Sequence, residues 1–197
     1  MKIIAGAFKG RRLVAPHGPT TRPTADQVRI ALMDTLTPWL GGVRFLDLCA
    51  GAGGVGLEAL SRGAAQATFV ERDARAVQAL RRNITTLEVE TTARVVPEEV
   101  RRALARLERQ RERFGLVFLD PPYETALMPE ILAVLGTGRL LSPPALVVAQ
   151  HLTKRPPDGE AGILRAYRTR RFGETTLTFL RGPAYDAPSE PPPAGDS

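Results

Sequence analysis

Asp120-Pro121-Pro122-Tyr123 is the stretch of this chain best built to hold a reacting group. It offers a carboxylate and, within the proline pair, main-chain carbonyls. Proline fixes φ and carries no N–H, so those carbonyls are held rigidly with no competing donor beside them. Two fixed acceptors suit an exocyclic amine on a nucleobase, whose lone pair is delocalised into the ring. Accepting both N–H bonds localises that pair and aims it at an electrophile. Tyr123 can stack on the base. The chemistry expected is positioning and electrostatics, with no metal and no histidine. Asp-Pro also starts ordinary turns, so the reading depends on where the segment lies.

A second motif suggests the electrophile. Asp47-Leu48-Cys49-Ala50-Gly51-Ala52-Gly53-Gly54-Val55-Gly56 contains a literal G-x-G-x-x-G, and Glu71 stands 20 residues after Gly51. Both features match a dinucleotide fingerprint. Asp47 argues against it, because a carboxylate there would face a pyrophosphate across a low-dielectric pocket. S-adenosylmethionine has no phosphate and carries an ammonium and a sulfonium, which a carboxylate attracts. The expected cofactor-binding residues here are Asp47, Ala50, Gly51 and Gly53, with Glu71 on the ribose hydroxyls and Arg72 beside it. Cys49 reads as a small buried residue rather than a nucleophile.

The elements that must position these motifs follow from periodicity. Short apolar runs at 43–48, 67–70, 93–96, 114–119 and 145–149 read as strands, and amphipathic stretches at 54–61, 74–84, 98–109 and 126–135 as helices. Alternation of this kind gives a parallel sheet covered on both faces. Both motifs then fall at the carboxyl ends of strands, where open α/β sheets place ligands. Two β-prone runs at 163–180, divided by Gly173, read as a closing antiparallel hairpin. The fold expected is α/β, with a mostly parallel seven-stranded sheet. Ahead of it, residues 2–5 and 11–14 read as a small hairpin around Gly6 and Gly10, and residues 15–23 as a loop. Thr24 reads as the N-cap of a helix carrying Val28, Ala31, Leu32 and Leu36, stopped by Pro38 and Gly41-Gly42. Residues 1–182 are expected to form a single domain. The proline-rich acidic tail, 183–197, is expected to be disordered.

Charge narrows the partner. The 197 residues carry a formal net charge of +6, yet residues 1–30 hold Lys2, Lys9, Arg11, Arg12, Arg22 and Arg29 against Asp26 alone. A basic arm beside a crevice suits phosphate contacts, so Lys9, Arg11, Arg12, Arg22 and Arg29 are the expected RNA-binding residues. Sparse aromatics argue against a broad single-strand stacking platform. The arginine-rich segment 98–113 is interleaved with glutamates, Glu98 and Arg102 at helical spacing, and reads as a solvated face. One cysteine excludes a disulfide or a cysteine-rich zinc site. No apolar run reaches a membrane span. The expectation is a cytoplasmic, monomeric enzyme without metal.

Taken together, the motifs carry a resemblance. Asp47 through Gly53 resembles the first motif of class I methyltransferases, a Rossmann-like fold. Asp120 to Tyr123 resembles the motif of amino-group methyltransferases. Ile3-Ile4-Ala5-Gly6, Lys9-Gly10-Arg11-Arg12-Leu13, Thr21-Arg22-Pro23-Thr24, Gly56-Leu57-Glu58-Ala59-Leu60-Ser61-Arg62-Gly63-Ala64 and Val117-Phe118-Leu119-Asp120-Pro121-Pro122-Tyr123 are similar to the bacterial 16S ribosomal RNA (guanine-N2)-methyltransferase family acting on guanine 966. The resemblance runs from Met1 to about Leu180. It implies that Arg22, Pro23 and Thr24 lie near cofactor and target base, and that Glu71 holds the ribose. Glu99, or else Glu98, is the candidate for the adenine. Ile30, Met33 and Gln150 depart from the family pattern, which has a glutamate, a phenylalanine and a glutamate there.

Three other functions share parts of this pattern. A DNA adenine or cytosine N-methyltransferase shares the site but usually adds a target-reading domain, for which about 40 residues ahead of the glycine loop leave no room. A protein glutamine methyltransferase leaves the basic arm unexplained. A non-enzymatic RNA-binding module would not bind S-adenosylmethionine.

Overall fold

The computed structural model describes residues 1–15, 23–122 and 126–182, with backbone alone for 23–25. Arg22, Tyr123, the side chains of Pro23 and Thr24, and the tail 183–197 lie outside the described residues.

Helix α1 (Pro23–Leu40) leads into an alternating series: β1 (Arg44–Leu48), α2 (Gly54–Ser61), β2 (Gln66–Val70), α3 (Ala74–Leu87), β3 (Ala93–Val96), α4 (Val100–Arg109), β4 (Phe114–Leu119), α5 (Leu127–Gly136) and β5 (Leu141–Leu152). A short β6 (Glu160–Ala161) and the hairpin β7 (Leu164–Phe172) and β8 (Thr175–Arg181) complete one sheet. Its order is β3-β2-β1-β4-β5-β8-β7-β6. The strands from β3 to β5 are parallel; β8, β7 and β6 pair antiparallel. The sheet therefore has eight strands where periodicity gave seven. The eighth is the two-residue β6, too short for any periodic signal.

Alternation along each strand builds the two cores. Phe45, Phe69, Phe118 and Val148 point to the face covered by α1, α2 and α3, with Leu32, Leu57 and Leu80 packed on them. Leu46, Val70, Leu119 and Val147 point to the other face, against α4 and α5 through Leu104, Leu107 and Ile131. Full burial of each such side chain contributes about 1.5–3 kcal/mol.

Two boundaries differ from expectation. Helix α1 begins at Pro23, so Thr24 is inside it and not its N-cap, and Pro38 lies within the helix. Proline's fixed φ is already helical, and Leu40 just beyond is fully buried. Burial of Leu36 and Leu40 outweighs one lost backbone bond. Strand β5 extends beyond 145–149 in both directions: β8 pairs with it as far as Leu152, and Leu141 pairs with Phe114 of β4.

The N-terminal segment closes on itself by a single antiparallel bridge, Lys2 to Arg12, rather than by two full strands. It is held less by that bridge than by α2. The Glu58 carboxylate, 0% exposed, accepts from Ile4 N at 2.8 Å and Ala5 N at 2.9 Å, and from Arg62 Nε at 2.9 Å. Ser61 Oγ accepts from Phe8 N and donates to Ala5 O. At Gly6, φ is +83°, and a Cβ would fall 1.9 Å from Ser61 O. Only glycine lets the arm lie this close to the helix.

Candidate active site

The sheet's chain path reverses between β1 and β4: from β1 it runs outward to β2 and β3, then returns to β4 and runs the other way. A crevice opens at the carboxyl ends of strands flanking such a switch point. Asp47 is in register with Phe118 and Leu48 with Leu119, so Cys49 and Asp120 emerge side by side. Asp120 N donates to Leu48 O at 3.3 Å, which carries the pairing one residue past the strand.

The Asp120 carboxyl is held from β5. Gln150 Nε2 donates to its Oδ2 at 3.0 Å. Burial pushes the Asp120 pKa up to about 7, and the Gln150 bond opposes that rise. Pro121 is buried and Pro122 exposed.

Across the crevice, the glycine loop is pinned at both ends. Ala50 N donates to Val70 O at 3.0 Å, and Gly53 N to Ala50 O at 2.9 Å. Gly53 has φ +84°, and a Cβ there would sit 2.3 Å from Leu80 Cδ1. The loop therefore needs glycine for both conformation and space. Asp47 Oδ2 accepts from Gly56 N at 2.9 Å, inside the first turn of α2. Burial raises the Asp47 pKa to about 7; the Gly56 bond lowers it, and Asp120 and Glu71 add repulsion. Glu71 accepts from Gly51 N, Arg72 N and Asp73 N, each at 2.8 Å. It therefore ties the end of β2 to the glycine loop. Cys49 takes φ +62°, and burial with neighbouring carboxylates pushes its thiol up to about 12. A thiol so held stays protonated, which fits no nucleophilic role.

Two cavities meet here, sharing Cys49 and Asp120. The larger, about 410 Å³, is lined by Glu71, Arg72, Glu98, Glu99, Pro121 and Pro122, with Val70, Val100 and Leu127 as apolar walls. That volume lies in the range of small-molecule sites. The smaller, about 270 Å³, is lined by Asp47, Ala50, Gly54, Phe118, Gln150 and Arg29 among others. Flat apolar walls beside Glu71 fit a purine nucleoside. Buried carboxyls in the adjoining space fit a cationic, phosphate-free extension.

Of the residues expected at the site, Asp47, Ala50, Glu71, Arg72, Glu99, Asp120, Pro121 and Pro122 line these cavities. Gly51 and Gly53 shape the loop behind them. Glu99 also caps α4, accepting from Arg101 N and Arg102 N, while Glu98 pairs with Arg106 at 3.3 Å rather than with Arg102. Both glutamates line the larger cavity. Among the arm's cations, Lys9, Arg11 and Arg12 are exposed, with Arg11 bonded to Thr86 O at the end of α3.

Arg29 is a correction. It is only 5% exposed and donates to Lys2 O, so it cannot meet RNA as an outward charge. Counting charge along the chain could not see that the arm folds over it. Two buried polar residues went unread as site supports. Asn83 joins Val14 and Ala52 O, and Glu58 joins the arm to α2. Their signal was present: each is polar at a position that helical periodicity assigns to the core.

The comparisons bear on the family and the fold. The family model described as conserved hypothetical protein 95 matches residues 1–181. The YlbH protein of Bacillus subtilis (strain 168) is 39% identical over 181 residues, covering 92% of this chain and 98% of the relative. Ribosomal RNA small subunit methyltransferase D of Escherichia coli (strain K12) is 38% identical over 150 residues, 76% of this chain and 74% of the relative. The solved structure of yhhF from Escherichia coli superposes with a TM-score of 0.83 at 33% identity, covering 94% of this chain and 99% of the other. With the Rossmann-like sheet, the glycine loop and Asp-Pro-Pro at one crevice, the chain belongs to the conserved hypothetical protein 95 family of bacterial class I methyltransferases, together with the ribosomal RNA small subunit methyltransferases D.

Proposed function

We propose that this protein transfers a methyl group from S-adenosylmethionine to the exocyclic N2 amine of a guanine in 16S ribosomal RNA, guanine 966 by family resemblance. The observation that carries the reading is the shared crevice. Asp120 and Pro121-Pro122 stand across it from the glycine loop, with Glu71 lining the larger cavity and Asp47 the smaller. The cofactor supplies an electrophilic methyl on a positively charged sulfur. Glu71 accepts from the ribose hydroxyls, and Arg72 and Glu99 border the adenosine. Asp47 attracts the ammonium. Asp120 and a proline carbonyl accept the two N–H bonds of the target amine and hold it in line. An acid poised near neutrality is also suited to receive a proton. The carboxylates of the crevice favour a cationic cofactor over a nucleoside diphosphate.

The target base must leave its stack to reach Asp120. Exposed Lys9, Arg11 and Arg12, with Arg22 ahead of α1, would grip phosphates beside the crevice. Exposed Arg81 and Arg82 immediately precede Asn83, which binds the arm, and would widen that basic surface. RNA recognised by its shape, naked or in a small subunit, suits a basic surface of this kind. No helix among the described residues is long and apolar enough to cross a membrane, and a cytoplasmic monomer is the simplest working form.

Tritiated methyl transfer into small subunits, naked 16S RNA and DNA oligonucleotides tests the proposal, with nucleoside analysis of the product. N2-methylguanosine in RNA alone is the expected result. Label in DNA, or in a base other than guanine, would reject it.

A further inference from the structure

The smaller cavity contains a cation that its surroundings leave unsatisfied. Arg29, on α1, is 5% exposed. Its Nη2 donates to Lys2 O at 2.8 Å and to Asp26 Oδ1 at 3.0 Å. Its Nε and Nη1 are buried and have no partner among the described residues. Nη1 lies 3.2 Å from where a Cβ on Gly54 would stand, at the first residue of α2. Buried guanidinium donors normally find acceptors, so such orphans call for an explanation.

Their placement supplies one. The first N–H groups of a helix carry partial positive charge, so guanidinium donors without acceptors beside them are unfavourable even with Asp26 paired to Nη2. An anion settled between the two satisfies both. The same cavity is also lined by Asp47, whose Oδ2 accepts from Gly56 N in the first turn of α2, and by Asp120. Unfilled guanidinium donors and carboxylates in one cavity match a zwitterion, not a plain anion. A phosphodiester entering the cavity would meet those carboxylates unfavourably.

We infer that Arg29 is the receptor for the carboxylate of the cofactor's amino-acid end, received at Nη1 against the N-terminus of α2, while Asp47 faces the ammonium. The inference rests on the S-adenosylmethionine reading above. It gives Arg29, which alone among the described arm-side cations is turned inward, a binding role in the crevice. The sulfur and methyl of Met1 lie over Gly54 in the same space and move aside as the carboxylate enters.

Calorimetry with two ligands tests this without relying on turnover. S-adenosylhomocysteine carries the carboxylate; its decarboxylated analogue, with an aminopropyl chain, lacks it. Wild-type protein should bind the first about 10- to 100-fold more tightly, the span expected for hydrogen bonds to a charged group. Arg29→Met should lose most of that preference while holding the analogue with unchanged affinity, and Arg29→Lys should recover part of it. If Arg29→Met weakens both ligands equally, the residue is merely structural and the inference is overturned. Wild-type protein that binds the two ligands equally overturns it too, leaving the cofactor reading intact. Wild-type protein that binds neither overturns both. Should Arg29→Met fail to fold, Arg29→Lys and the wild-type pair decide: an undiminished preference in Arg29→Lys, or none in wild type, rejects the receptor.

Discussion

The proposed function gives Asp120 two separable roles, as an acceptor and as a buried acid, and each gives a measurement. If Asp120 accepts from the reacting amine as proposed, Asp120→Ala should lower methyl transfer by about 100-fold or more. Affinity for S-adenosylhomocysteine should stay nearly unchanged, as the proposed acceptor role is directed at the amine and not at that ligand; matched single-turnover and calorimetric measurements check the split. The acid's pKa is raised from 3.8 to about 7 by burial, so the folded state holds this proton more tightly than the unfolded chain does. Its contribution to stability is full below about pH 4 and is lost as pH rises through 7. Asp120→Asn has no such proton to lose. Its Tm should therefore decline less steeply than that of wild type between pH 4 and pH 8, with the slope from Asp47 remaining. Equal slopes in the two proteins would place the Asp120 proton elsewhere. At this scale the sequence pointed to Asp120 by the prolines after it, to Asp47 by the glycine loop that follows, and to Glu71 by its 20-residue spacing from Gly51, and all three line the two cavities. Arg29 did not, because burial under Lys2 is a property of folded geometry and not of composition.

Among the elements, α2 carries the most consequence for its length. Glu58 is charged, fully buried and shared by two amides of the arm and Arg62. Removing one partner of a buried ionic cluster costs about 3–5 kcal/mol, so Glu58→Ala should lower unfolding stability by that order in urea. Hydrogen exchange should then quicken at Ile4 and Ala5 while β1 and β4 keep their protection. Retained protection at those two amides would mean that the arm has another anchor. The elements themselves were mostly legible: α2, β3 and β4 match the periodic stretches residue for residue, and the other elements of the alternating series were placed correctly, with ends shifted by a few residues except in β5, where the extension is larger. What periodicity missed is long-range. It could not see that β8 would draw β5 out to Leu152, or that burial of Leu40 would carry α1 past Pro38. Nor could it pair Glu58 with residues more than 50 positions away.

For the whole molecule, the division of charge organises function. Acidic groups line the crevice, and exposed bases crowd the arm and α3 beside it. Substituting Lys9, Arg11 and Arg12 by alanine should weaken RNA binding and reduce the slope of log affinity against log salt by about 0.9 for each phosphate that is no longer neutralised. An unchanged slope in filter binding across a salt series would move the RNA surface away from the arm. Helix α2 then has a consequence of its own. Its first turn borders the crevice through Gly54 and Gly56, and its last turn clasps the arm through Glu58 and Ser61. A helix of eight residues spans only about 12 Å, so it transmits displacement as a short rod. Occupancy at its two ends is joined by thermodynamic linkage: whatever factor RNA imposes on cofactor affinity, the cofactor must return to RNA. The order in which the two arrive can change the kinetics of assembly, but not that reciprocity.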